Sequence, residues 1–188
     1  MTLMIAGLVL FLGAHTLTTM RHVRAGLMGR IGEGPYKGLY SLVSAAGLVL
    51  IVWGFGRYRA DGYIQFWDPP QWLRPVALVL LWISFVALAA AYAPAGKIKG
   101  LVRHPMLVGV KAWALAHLLV NGDLGSLILF SAFLAWAVYD RIAVKRRGDA
   151  GAPTSGFASG DAIALAVGSA AYIAMFWLHP WLIGVPIM

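Results

Sequence analysis

The chain has 188 residues, of which 61% are hydrophobic and 12% are charged, and its formal net charge is +8. A soluble domain usually has about a quarter of its residues charged, so this composition excludes an ordinary water-soluble domain. The basic balance does not indicate nucleic-acid binding, because the Lys and Arg residues stand between apolar stretches and form no solvated basic face. The absence of cysteine excludes disulfides, thiolate haem ligands and cysteine nucleophiles.

Six apolar stretches predict the fold. Most approach the length of about 20 residues that a spanning helix needs, and a helix satisfies its own backbone polar groups within lipid. The sequence therefore predicts an all-α, polytopic membrane bundle of about six transmembrane helices. In chain order the stretches cover residues 3–19, 39–55, 76–93, 106–120, 124–138 and 162–181.

The composition of the chain changes after the fifth stretch. Residues 1–147 are predicted to form one membrane domain with five helices and all the candidate cofactor residues. Residues 148–160 are rich in Gly, Ala and Ser, which is typical of a flexible linker. Residues 161–188 are predicted to form a C-terminal transmembrane helix.

The basic residues predict the orientation in the membrane. Eleven of the fifteen lie in the first, third and fifth loops, and three lie on the other side, at Arg57, Arg59 and Arg74. By the positive-inside rule the three basic loops face the cytoplasm. We therefore expect a multi-pass protein of the inner (cytoplasmic) membrane with both termini in the periplasm.

Ionisable side chains inside apolar stretches are functional candidates, because they are costly in lipid. They are His15, Lys111 and His117, with His104 and Asp140 at the cytoplasmic edge. His104 and His117 are thirteen residues apart, which is about 20 Å along a helix, so they cannot ligate one ion. His15 is either a ligand or a histidine hydrogen-bonded inside the bundle. Lys111 either extends towards the headgroups or is a counter-ion for an anionic cofactor group.

Six segments of residues 1–147 resemble the NnrU family of membrane proteins. That family is associated with bacterial denitrification, notably nitrite and nitric oxide metabolism. It is also similar to the 15-cis-zeta-carotene isomerase family, whose haem b has histidine axial ligands. The matching segments are residues 11–15 (FLGAH), 32–44 (GEGPYKGLYSLVS), 67–70 (WDPP), 103–107 (RHPML), 111–119 (KAWALAHLL) and 136–141 (WAVYDR).

The resemblance implies a haem b cofactor with His15 and His117 as the iron ligands. Under this hypothesis Lys111 and Arg103 pair with the haem propionates. Phe11 and Trp113 each precede a candidate ligand by four residues, so each lies on the same helix face and is expected to form an apolar wall. These side chains are expected to line a pocket bounded by the first and fourth spanning helices.

Three classes of function remain open at this stage. The chain is a haem-based sensor or redox accessory for nitric oxide, a haem-dependent isomerase of a carotenoid-like polyene, or a haem-free membrane assembly factor. Whether it is an enzyme is therefore undecided. The segment Arg103-His104-Pro105 also resembles membrane methyltransferases, but Asp140 is followed by Arg141, where those enzymes have an acidic pair. The expected partners are the lipid bilayer and a hydrophobic small molecule or nitric oxide, and the sequence identifies no protein partner.

Overall fold

Helices account for nearly all regular structure in the described part of the chain. A computed structural model describes residues 1–153, 156–185 and 187. Within those residues five helices are long and apolar enough to cross a membrane, and α6 is a shorter apolar helix. In chain order the helices are α1 Thr2–Thr19, α2 Arg21–Ile31, α3 Glu33–Ala60, α4 Leu73–Tyr92, α5 Lys97–Val102, α6 Pro105–Val120, α7 Leu124–Arg146 and α8 Ser159–Ile183.

The predicted all-α membrane bundle is confirmed, and the six predicted stretches correspond to α1, α3, α4, α6, α7 and α8. The apolar pattern does not predict α2 and α5, because these two helices are short and lie in the basic loops. Helix α2 is separated from α3 at Gly32, whose φ of +87° suits glycine. Helix α5 ends at Arg103, a non-glycine residue with a φ of +59°.

The long helices pack in a definite order. Helix α1 packs against α3 and α7, α7 against α6, α6 against α4, and α4 against α8. The order across the bundle is therefore α3, α1, α7, α6, α4, α8. Helix α7 thus lies between α1 and α6, the two helices that carry His15 and His117.

Small residues bring α1 and α3 into backbone contact. A Cβ atom on Gly7 would lie 2.6 Å from Ile51 N, and one on Gly47 would lie 2.8 Å from Phe11 N. A Cβ atom on Gly54 would overlap Met4 N. Close approach of backbones through small residues is a common way for spanning helices to associate.

One end of the bundle carries most of the basic residues, and we call it the basic end. Three contacts show that the ends of α1, α5 and α7 meet there. Arg147 Nη1 donates to the carbonyl of Thr19 at 3.0 Å. Arg21 and Asp149 form an ion pair at 3.5 Å, and Ala152 N donates to Arg103 O at 3.0 Å.

The loop between α3 and α4 closes the opposite end of the bundle. Phe66 N donates to Gly122 O at 2.9 Å, and Leu124 N donates to Ile64 O at 2.9 Å. A side chain at Gly122 would overlap the carbonyl of Trp67, so glycine is required there. The loop is therefore fixed against the turn between α6 and α7.

Helix α8 is attached to the bundle at its first turn by Asp161. The carboxylate accepts hydrogen bonds from the backbone N–H groups of Lys97 at 2.9 Å, Ile98 at 2.7 Å and Ala158 at 2.9 Å. Farther along, a Cβ atom on Gly168 would lie 2.6 Å from the Cα of Val86. Helix α8 thus packs closely against α4, although residues 148–158, part of the predicted linker, are not helical where they are described.

Candidate functional site

His15 lies near the basic end of α1, where aromatic side chains surround its ring. Its Nδ1–H donates to the carbonyl of Phe11 at 2.7 Å. The ring stacks on Phe11 with centroids 4.2 Å apart, meets Trp136 edge-on at 5.6 Å, and lies 5.4 Å from Tyr40. Because a carbonyl only accepts, Nδ1 carries a proton, and in the neutral ring Nε2 then has the free lone pair. Metal-ligating histidines commonly adopt this state.

His117 lies near the opposite end of α6 in a similar state. Its Nδ1–H donates to the carbonyl of Trp113 at 2.9 Å. The ring stacks on Phe130 of α7 at 4.4 Å and lies 5.2 Å from the Trp113 ring. Asn121, one turn later, donates to the backbone carbonyl of His117 at 2.8 Å.

Aromatic rings occupy the space between His15 and His117. Phe133 of α7 contacts Phe11 at 5.6 Å and Trp113 at 5.3 Å, so one ring links the Phe11 side of the bundle to the Trp113 side. His15 is one turn nearer the basic end than Phe11, and His117 is one turn nearer the opposite end than Trp113. Each histidine is thus about 6 Å along its helix from its aromatic neighbour, and the two offsets run in opposite directions.

The two histidines could bind a single haem only if a slot opened between them. Axial ligand atoms lie about 4 Å apart, given metal–nitrogen bonds near 2 Å. The expected walls, Phe11 and Trp113, contact the Phe133 ring where a flat cofactor would need a slot. In a haem-loaded state with His15 and His117 as joint ligands, these rings would have to move.

A pocket of about 330 Å³ lies at the basic end of the bundle, between α4, α5, α6 and α7. The prediction placed the pocket within the bundle, between α1 and α6, and open towards the membrane or the cytoplasm. Helix α6 does bound the pocket, but α7 takes the place expected for α1. The lining residues are Ala91, Lys99, Arg103, His104, Pro105, Met106, Leu107, Trp136, Asp140 and Val144.

Two buried polar atoms of the pocket walls have no hydrogen-bond partner. They are Nε2 of His104 and Nε1 of Trp136. Pro105 at the first helical position starts α6, and this places His104 immediately before the helix. Because an unpaired buried polar group costs free energy, these two nitrogens mark the pocket as a place where a further group can bind.

Segment 149–152 covers the His104 ring. A Cβ atom on Gly151 would lie 2.8 Å from His104 Nε2, and Gly151 has a φ of +72°. Gly151 N donates to Asp149 Oδ1 at 3.0 Å. This hydrogen bond is the largest of the effects that lower the pKa of the Asp149 carboxyl below its ordinary value, followed by the charges of His104, Arg21 and Arg147. A ligand reaches Nε2 of His104 only if this segment moves away from the ring.

Cationic side chains lie beside the pocket. Lys99 Nζ donates to the carbonyls of Ala91 at 3.0 Å and Ala93 at 2.8 Å, which leaves one of its three N–H groups for another acceptor. Arg103 lines the pocket. Lys111 is half-buried but does not line it, and seven residues place Lys111 about 10 Å deeper than His104.

Sequence reasoning named Asp140 as a candidate at this edge but missed three residues of this region: Lys99, Trp136 and Gly151. Trp136 and Asp140 are one turn apart on α7, so a helical reading could have placed them on one face. In the sequence Lys99 is one of several basic residues in the third loop, and nothing distinguishes it from them. Gly151 is 47 residues from His104 along the chain, and only folding brings the two together. Among the described residues no cluster of three or more His, Asp or Glu side chains is placed to hold a metal ion. A haem needs no such cluster, because it takes only one or two axial ligands from the protein.

Comparison with known proteins yields one family. A family model described as NnrU protein matches residues 3–187, nearly the whole chain. The match continues past residue 147 through α8, so it is longer than the resemblance seen in the sequence. The searches of curated proteins and of solved structures return no match.

Proposed function

The chain belongs to the NnrU family, and we propose that it is a haem b-binding membrane protein that acts in nitrite and nitric oxide metabolism as a sensor or redox accessory. The metabolic role follows from the family resemblance. The pocket at the basic end supports the position proposed for the haem. When bound, haem supplies an iron whose axial ligands set its reactivity towards small molecules and electrons.

The observation that carries this proposal is the unpaired, buried Nε2 of His104 at the wall of the pocket. An imidazole nitrogen is a common proximal ligand of haem iron. His15 is the second candidate ligand, because its ring touches Trp136, whose indole also lines the pocket. His117 lies on the far side of the Phe11, Phe133 and Trp113 rings.

The other pocket residues have roles that their chemistry supports. Arg103 and the remaining N–H of Lys99 pair with the two carboxylates of the cofactor, since hydrogen bonds between ionised groups are the stronger ones. Trp136 provides an apolar wall and one N–H donor. Segment 149–152 covers the His104 ring and would have to move away from it for Nε2 to reach the iron. Lys111, the expected propionate partner, is replaced in this role by Lys99.

Haem content tests the proposed function. The protein, produced with a haem precursor in the medium and purified in detergent, is expected to show a Soret band. The pyridine haemochrome spectrum should be that of haem b, with about one haem for each chain. A purified, folded protein without a Soret band, which also gains none when haemin is added, would contradict the proposal and favour the haem-free assembly factor.

The proposal includes the orientation predicted from the charges. Helix α1 begins and helix α8 ends at the end opposite the basic end, so both termini are expected in the periplasm if the basic end faces the cytoplasm. A C-terminal alkaline phosphatase fusion should be active, and a C-terminal green fluorescent protein fusion should be dark. The reverse result would place the basic end outside and overturn this orientation.

A further inference from the structure

Helix α2 lies at the membrane surface. It joins two helices that are long and apolar enough to span the membrane, α1 and α3. Its 11 residues extend only about 16 Å, about half of the hydrocarbon thickness of about 30 Å. No residue of α2 is buried within the protein. Most of the surface of this helix is therefore free to contact lipid or water.

The residues of α2 form an apolar stripe flanked by arginines. Val23, Leu27 and Ile31 are spaced four apart, so they lie along one face of the helix. Arg24 and Arg30 lie three residues before and after Leu27, one on each side of the stripe. Among the described residues neither of these two arginines forms an ion pair, whereas Arg21, in the first turn of α2, pairs with Asp149. This arrangement is typical of a helix that lies in the headgroup region and attracts anionic lipids.

A groove of about 220 Å³ runs along one side of the stripe, lined by Val23, Gly26, Leu27 and Arg30. The groove places one guanidinium beside two apolar side chains, and a guanidinium binds phosphate through charge-assisted hydrogen bonds. A Cβ atom on Gly26 would meet nothing within 4 Å. The packing of the chain therefore does not require glycine at this position. Glycine also weakens a helix, so neither packing nor helix stability explains it.

We propose that α2 binds an anionic phospholipid of the membrane that surrounds the protein. The lipid phosphate pairs with Arg30, and the first part of an acyl chain lies along Val23 and Leu27. Arg24, on the other side of the stripe, adds to the positive potential at the headgroup. This site is separate from the pocket at His104 and does not depend on haem.

Native mass spectrometry of the full chain in detergent tests the site. The protein is titrated with phosphatidylglycerol or with phosphatidylcholine of the same acyl chains. The wild type should retain phosphatidylglycerol more strongly. The double variant Arg24→Gln/Arg30→Gln should lose roughly fivefold in affinity for each arginine removed, because a basic residue near an anionic surface contributes about that factor.

Two further variants separate this site from a general effect of charge. Arg57→Gln/Arg74→Gln removes the same charge at the opposite end and should retain phosphatidylglycerol as the wild type does. Gly26→Leu fills the groove, keeps every charge and should weaken retention. Equal retention of the two lipids by the wild type, an equal loss in the control pair, or full retention by Gly26→Leu would each overturn the proposal.

Discussion

Replacing Gly54 with valine is expected to destabilise the protein by roughly 3 kcal/mol, near the upper end of the usual cost of overpacking. A Cβ atom at this position would overlap Met4 N of α1. The obstacle is backbone, so no flexible side chain can rotate away, and α1 and α3 must separate. Unfolding of the detergent-solubilised protein by sodium dodecyl sulfate, followed by tryptophan fluorescence, measures the loss.

Gly56 provides the matched control, two residues farther along the same helix. A Cβ atom on Gly56 would meet nothing within 4 Å, so Gly56→Val reports only the effect of a β-branched residue on the helix. This variant should unfold close to the wild type. Equal stabilities of Gly54→Val and Gly56→Val would show that α1 and α3 do not approach as described.

The spanning helices could be predicted because the membrane imposes a simple rule. A segment in lipid must be apolar and must pair its own backbone groups, so composition alone locates α1, α3, α4, α6, α7 and α8. Helices α2 and α5 lie outside this rule. Their ends depend on the backbone at Gly32 and Arg103, which have positive φ, and hydropathy does not report backbone angles.

The site was harder to predict, because it depends on how helices pack against each other. Sequence spacing showed that His104 and His117 cannot share one ion, and it placed His15 nearer the basic end. It could not show that Phe133 of α7 contacts both Phe11 and Trp113. The joint role of His15 and His117 as iron ligands, implied by the family resemblance, stays a prediction that needs these rings to move.

The attachment of α8 also depends on contacts distant in sequence. Asp161 reads in the sequence as an acidic residue at the start of a helix, where a carboxylate is favourable. Two of its three hydrogen bonds, however, come from Lys97 and Ile98, more than sixty residues earlier. No local sequence pattern around residues 148–160 predicts that Lys97 and Ile98 are the partners of Asp161. The Gly- and Ser-rich composition of residues 148–160 is typical of a flexible linker, but it does not reveal that Asp161 fixes the start of α8 against α5.

Substitution of single histidines tests the central claim, that the haem ligand is His104 at the basic end. His104→Ala should lose most of the Soret band of the purified protein. The variant should still fold, because the His104 side chain forms no hydrogen bond among the described residues. His22→Ala, which removes an exposed histidine of α2, is the control and should keep the wild-type spectrum.

The decisive measurement is the reduced-minus-oxidised absorption spectrum of His104→Ala and His117→Ala, each compared with His22→Ala at equal protein concentration. The proposed function predicts loss of the haem signal in His104→Ala and a signal close to that of the control in His117→Ala. The opposite pattern, with the haem retained in His104→Ala and lost in His117→Ala, would contradict a site at the basic end. It would place the haem between His15 and His117, in the space that Phe11, Phe133 and Trp113 occupy.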